Sequence, residues 1–263
     1  MTSFADHAES NLIKAIIAGV SGRGKTGLLA TLINSPLIKR TAILDFDQGL
    51  QILSGYLNPD ARERVQFETL DPFAPASGQR AITLAKHWNS NGVDWGKPEQ
   101  WGPEDLFVVD TLSGAGQAFL TMIEMGGQFK DGRQIVGKAQ EGLLKFVGHL
   151  VYKAKCHVIF NTHIRAGEDL GEKMAYPSTV GSALNTQIGK YFNNVWRIDL
   201  RASEPSGRII RVAADHAMTL KNSAPNVLKK EEPFDLAALF TKILSAKALP
   251  SNALTTKLME KKT

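Results

Sequence analysis

The chain has a single cysteine, Cys156, among 263 residues, which excludes an internal disulfide and fits a reducing compartment. No stretch approaches the roughly 18 apolar residues of a membrane span. The opening residues, MTSFADHAESN, have neither a basic start nor an apolar core, so no secretory signal is expected. Aromatic residues are sparse, at 8%, and neither sign of charge dominates, with 31 Lys and Arg against 26 Asp and Glu. The resulting +5 permits a polyanionic partner without requiring one. No internal repeat and no linker-like segment is visible. These absences leave an ordinary globular composition, 43% hydrophobic, and a chain expected in the cytoplasm. Cys156 lies in CHVIF and reads as a small buried core residue.

Short apolar runs at residues 14–20, 41–46, 64–69, 106–110, 157–161 and 195–200 read as strands. Most are apolar throughout, as expected of strands covered on both faces. Helical patterns fall between them, at residues 25–33, 78–88, 115–125 and 137–154. The alternation predicts an α/β fold with a mainly parallel central sheet flanked by helices. RIIRVAA and MTLKN predict an antiparallel hairpin at its C-terminal side, and a last helix is expected over 233–246, with Pro233 in its first turn. One domain over residues 12–247 is expected, between an arm, 1–11, and a basic tail, 248–263. Residues 89–105, 126–137 and 165–182 break the rhythm and read as long loops.

The stretch GVSGRGKTG, residues 19–27, follows the first strand and opens the first helix. Gly19, Gly24, Lys25 and Thr26 match G-x-x-x-x-G-K-[ST] in full, in the strand-to-helix setting that a phosphate loop requires. Glycines let the backbone curl, so the amides of Val20, Ser21, Gly22, Arg23 and Gly27 together with the motif residues can point at a phosphate. The helix start adds partial positive charge. Lys25 is expected to reach the β- and γ-phosphates of ATP, and the Thr26 hydroxyl to ligate Mg2+. The run LFVVD ends in Asp110, the second acid such a metal needs.

These motifs and their order resemble the RecA-like P-loop ATPases, in particular the compact core-only versions encoded by bacteriophages; the likeness spans residues 14–227. The resemblance implies a Mg2+-dependent ATPase that binds single-stranded DNA in recombination or strand annealing, in the host cytoplasm if phage-encoded. It implies homo-oligomers, filament or ring, with nucleotide between subunits. In AILDFDQGL it makes Asp47 the residue that activates water, where the family usually has glutamate; the alternative is a turn-forming aspartate. In HVIFNTHI it makes His163 the sensor of the γ-phosphate, where RecA has glutamine. Residues 126–137 and, after His163, residues 165–182 correspond in order to the family's first and second DNA loops. Phe129, Lys130 and Arg133 in the first, and Arg165, Lys173 and Tyr176 in the second, combine cations with aromatic faces as single-strand binding requires. Lys221 is placed where RecA-like proteins send a lysine to the neighbour's nucleotide, the alternative being a solvated strand end. Tyr56 reads either as a core residue or as a stacking partner for adenine. A nucleotide-gated adaptor that loads replication proteins with little turnover, or a ring-forming helicase-like motor, remain rival readings.

Overall fold

The computed structural model describes residues 12–169 and 172–248. The arm expected at 1–11, and residues 249–263 of the expected tail, lie outside the described residues. Strand β1 (Lys14–Ala18) is wholly buried, and its residues alternate between two cores. Ile16 and Ala18 face one side of the sheet, while Ile13, Ala15 and Ile17 face the other. That is why the run is apolar without alternation: both faces are covered.

The sheet has eight strands. In chain order they are β1, β2 (Arg40–Asp45), β3 (Val65–Thr69), β6 (Asp105–Asp110), β7 (His157–Thr162), β10 (Asn194–Leu200), β11 (Arg208–Arg211) and β12 (Glu231–Pro233). In space they run β12-β11-β10-β1-β7-β6-β2-β3. The pairs from β3 to β10 are parallel, and β11 is antiparallel to both its neighbours. This is the mainly parallel α/β sheet, with an antiparallel C-terminal edge, that the sequence implied. The strand beside β11 is β12, however, and not MTLKN. The latter makes one bridge, Lys221 to Val195.

One face is covered by α4 (Ser77–Lys86), α5 (Leu112–Met125) and α6 (Gly132–Gly148), through residues such as Leu84, Phe119 and Phe146. The other is covered by α1 (Lys25–Ile33), α2 (Leu50–Tyr56), the short α3 (Pro59–Glu63) and α8 (Leu236–Ala248), through Leu28, Leu53 and Phe240. Cys156 is buried in the first core.

Several boundaries differ from expectation for local reasons. Helix α6 begins at Gly132, five residues early, because the Asp131 carboxylate caps it by accepting from the Arg133 amide at 2.8 Å. Helix α8 begins at Leu236 and leaves Pro233 in β12. Asp235 accepts from the Ala238 amide at 3.1 Å and sets the start. Residues 89–105 hold a small hairpin, β4 (Trp88–Ser90) with β5 (Val93–Gly96), whose Trp95 packs with Trp101 against the Arg40 guanidinium. Residues 165–182 are likewise no open loop. Strands β8 (Ile164–Asp169) and β9 (Glu172–Pro177) form an antiparallel ribbon that leaves the end of β7, followed by the short α7 (Ser182–Asn185).

Candidate nucleotide site

The C-terminal ends of β1, β7, β6 and β2 converge on a cleft of about 500 Å3. Its floor is the loop between β1 and α1. Gly22 and Gly24 adopt left-handed backbone there (φ +76° and +88°), which lets the chain turn back into the helix. The Gly19 amide is anchored by the Thr162 carbonyl at 3.1 Å. Lys25 is 6% exposed, and its ammonium folds back onto the carbonyls of Gly19 (3.0 Å) and Val20 (3.3 Å). Burial pushes its pKa down, against the pull of Asp110 and Asp47.

Acids line the opposite wall. The Thr26 hydroxyl donates to Asp110 Oδ2 at 2.7 Å. Asp110 is 1% exposed, and burial pushes its carboxyl up to about 6 despite the Thr26 bond and the Asn161 amide beside it. Asp45, under the turn after β2, is also raised by burial, although it accepts from the Gly49 and Asp47 amides. Asp47 behaves oppositely. Burial pushes its carboxyl up, but His163, Thr111 and Lys25 together outweigh this and hold it below the usual aspartate range. Thr111 donates to Asp47 Oδ1 at 3.0 Å, and His163 Nε2 lies 3.0 Å from Oδ2. The Lys25 ammonium lies 3.4 Å from His163 Nδ1. An ammonium can only donate, so Nδ1 accepts and the ring proton sits on Nε2, facing Asp47. Lys25, His163, Asp47 and Thr111 thus form one hydrogen-bonded chain.

Asp110 Oδ1 is buried without a hydrogen-bond partner, an acceptor poised for a metal-bound water. Among the described residues no group of three or more His, Cys, Asp or Glu could hold a metal ion. Thr26 and Asp110 therefore fit Mg2+ only as two contributors to an otherwise phosphate- and water-liganded ion, the usual habit of that cation.

Of the residues expected here, the loop from Gly19 to Gly27, Asp47, Asp110 and His163 come together. Lys221 does not. It pairs with Val195, low on β10, and its ammonium donates to the carbonyls of Gly189 (3.4 Å), Lys190 (3.2 Å) and Phe192. Those three bonds use all its hydrogens, so it serves to close the turn before β10. Lys130 and Arg133 are exposed, with Phe129 half-buried beside Lys130; Arg133 sits on the first turn of α6 and not in an open loop. Arg165 is exposed and faces Tyr176 across the ribbon, while Lys173 lies on β9. The two regions meet where Gln140 of α6 donates to the Val180 carbonyl at 3.0 Å.

Tyr56 is not core: it is 64% exposed at the cleft mouth, over Gly27. Thr111, Arg208 and Phe234 also line the cleft, and none was singled out from sequence. Thr111 directly follows the acid of LFVVD, a signal that could have been used. Arg208 and Phe234 carry none.

A phosphate loop facing a hydroxyl–carboxylate pair, at the carboxyl ends of a parallel sheet, defines a nucleotide-binding P-loop fold. The AAA domain family model matches residues 11–229, and the chain belongs to that family. No curated protein matches it. Among solved structures, a prototypical ATPase of the type III secretion system of pathogenic bacteria is similar at a TM-score of 0.51 and 13% identity. That match covers 73% of this chain and 55% of the ATPase, so the chain spans about half its length and the likeness is one of fold. The RadB recombinase matches at TM-score 0.42 and 17% identity, over 76% of this chain and 79% of RadB. EscN of enteropathogenic E. coli, assembled with its stalk EscO, matches at 0.49 and 12%, over 81% and 51%.

Proposed function

We propose that the protein is a Mg2+-dependent ATPase that binds single-stranded DNA and acts in recombination or strand annealing. ATP binds in the glycine-floored cleft, with homo-oligomerisation closing its exposed mouth. Lys25 leaves its carbonyls for the terminal phosphates, Thr26 and Asp110 hold the cation, and Asp47 orients the attacking water. Bound Mg2+ neutralises charge developing on the transferred phosphoryl. Asp47 is suited to orienting water because its low pKa keeps it ionised, and Thr111 and His163 fix its direction.

The observation that carries the DNA part of this reading is the position of His163. It bridges Lys25 and Asp47, and it is also the residue between β7 and the β8–β9 ribbon. Its carbonyl accepts from the Ser178 amide at 2.8 Å, and Thr162 donates to the Ser178 carbonyl at 2.7 Å, so both legs of the ribbon are pinned beside it. A γ-phosphate that draws Lys25 away from His163 changes the ring's partners at the ribbon's root. Arg165 and Tyr176 on the ribbon, and Lys130 and Arg133 beside α6, supply the cations and ring for a strand. The adaptor reading draws support from the same bonds: Asp47 is short and already holds two donors, which leaves less of it for water. Steady-state ATPase rates with no DNA, single-stranded oligonucleotide and duplex separate the two. Stimulation by the single strand, lost in Lys25→Ala, is the expected result; no turnover under any condition overturns the ATPase.

A further inference from the structure

The arginines at the antiparallel edge of the sheet are nearly all matched by acids. Arg197 pairs with Asp199 (2.7 Å) and Asp215 (2.5 Å), Arg211 with Asp199 and Glu231, and Arg201 with Glu231. Arg208, at the start of β11, is the exception. No acid among the described residues pairs with it, its Nε is buried without a hydrogen-bond partner, and its Nη1 reaches only the Ser206 carbonyl at 3.4 Å. Its guanidinium lies over Phe234, 5.6 Å from the ring centroid, and both line the cleft that holds Lys25. A partly desolvated cation with unfilled donors is costly unless an anion completes it.

The sheet order says which part of a ligand that anion belongs to. Asp110 on β6, His163 after β7 and Asp47 after β2 all lie to one side of β1, while β11 and β12, which bring Arg208 and Phe234, lie to the other. A cation and terminal phosphate held by Thr26 and Asp110 leave the nucleoside end to extend across Gly24. There a Cβ on Gly24 would stand 3.2 Å from Phe234 Cζ and 3.4 Å from Arg208 Nε, so these two side chains form the wall at that point.

We propose that Arg208 is a second phosphate contact of the nucleotide, supplied by the same chain and directed to the phosphate nearest the nucleoside, with Phe234 holding the guanidinium plane. This rests on the cleft being a nucleotide site. Because that phosphate is present in ADP and ATP alike, Arg208 contributes to binding both and does not discriminate between them.

Titrating fluorescent N-methylanthraniloyl ADP and ATP with Mg2+ against wild type, Arg208→Ala, Arg208→Lys and Lys25→Ala tests it. Circular dichroism confirms that each variant is folded. Arg208→Ala is expected to weaken both nucleotides by about tenfold or more, the scale of one hydrogen bond to a charged group. Arg208→Lys should fall between, since the charge survives without the fork. An Arg208→Ala protein within twofold of wild type for ADP, while Lys25→Ala has lost binding, overturns the inference and leaves the nucleotide reading standing. A loss confined to ATP also overturns it, because the contact would then read the terminal phosphate. Wild type that binds neither nucleotide overturns both readings together.

Discussion

Replacing Asp110 with asparagine should stabilise the protein without nucleotide and, at the same time, remove its response to magnesium nucleotide. Burial pushes the Asp110 carboxyl from 3.8 to about 6. At 1.36 kcal/mol per pH unit, that gap costs the folded state about 3 kcal/mol at pH 7. The folded-state value lies above the unfolded one, so the folded chain holds the proton more tightly. The penalty is therefore absent below about pH 4, grows between about 4 and 6, and is complete above that. Asparagine keeps an acceptor for the Thr26 hydroxyl, now 2.7 Å from Oδ2, and places an amide where Oδ1 has no partner. The rise to about 6 is already net of the Thr26 bond, which favours the charged form, so that bond is not subtracted again. The gain of about 3 kcal/mol corresponds to a Tm higher by about 6–12 °C for a chain of this size. Melts followed by circular dichroism from pH 4.5 to 8 provide the assay. The difference should be largest above pH 6 and shrink toward pH 4.5, and Mg-ADP should raise the wild-type Tm but not the variant's. A variant that melts at or below wild type throughout pH 6–8 would show that the buried carboxylate carries no such penalty.

Two further outcomes follow from neighbouring contacts. Gly114→Ala puts a Cβ 2.6 Å from the Phe46 Cβ and 3.2 Å from Asp47 Oδ1, and the helix cannot yield without moving Thr111. A loss of about 1–3 kcal/mol in denaturant titrations is expected, and an unchanged midpoint refutes the clash. Asp47→Asn keeps the Thr111 bond but removes the charge facing His163. Turnover should fall about 100-fold or more with little change in nucleotide affinity; a rate within threefold of wild type would exclude Asp47 from the chemistry.

What could be read from residue order alone were the features encoded in contiguous residues. Four consecutive apolar positions, Ala15 to Ala18, announced β1 because both faces of that strand are covered. GVSGRGKTG announced its phosphate loop because each glycine and the Lys-Thr pair act within one turn of chain. Asp110 was legible for the same reason, as the polar end of an apolar strand. Asp47 and His163 were legible only as positions in an order. That they touch one another, with Lys25 on one side and Thr111 on the other, depends on β2, β6, β7 and β1 lying side by side, which joins residues 64 and 116 apart. Where Lys221 points within its own chain was not legible either: its segment makes a single bridge low on β10, where the carbonyls of the preceding turn hold its ammonium. Arg208 and Phe234 had no motif at all: their meaning comes from an antiparallel edge that carries them back to Gly24. Local backbone chemistry was therefore set by the sequence itself, whereas charge pairing and cleft walls were decided by packing, because they depend on distances between strands that no spacing along the chain records.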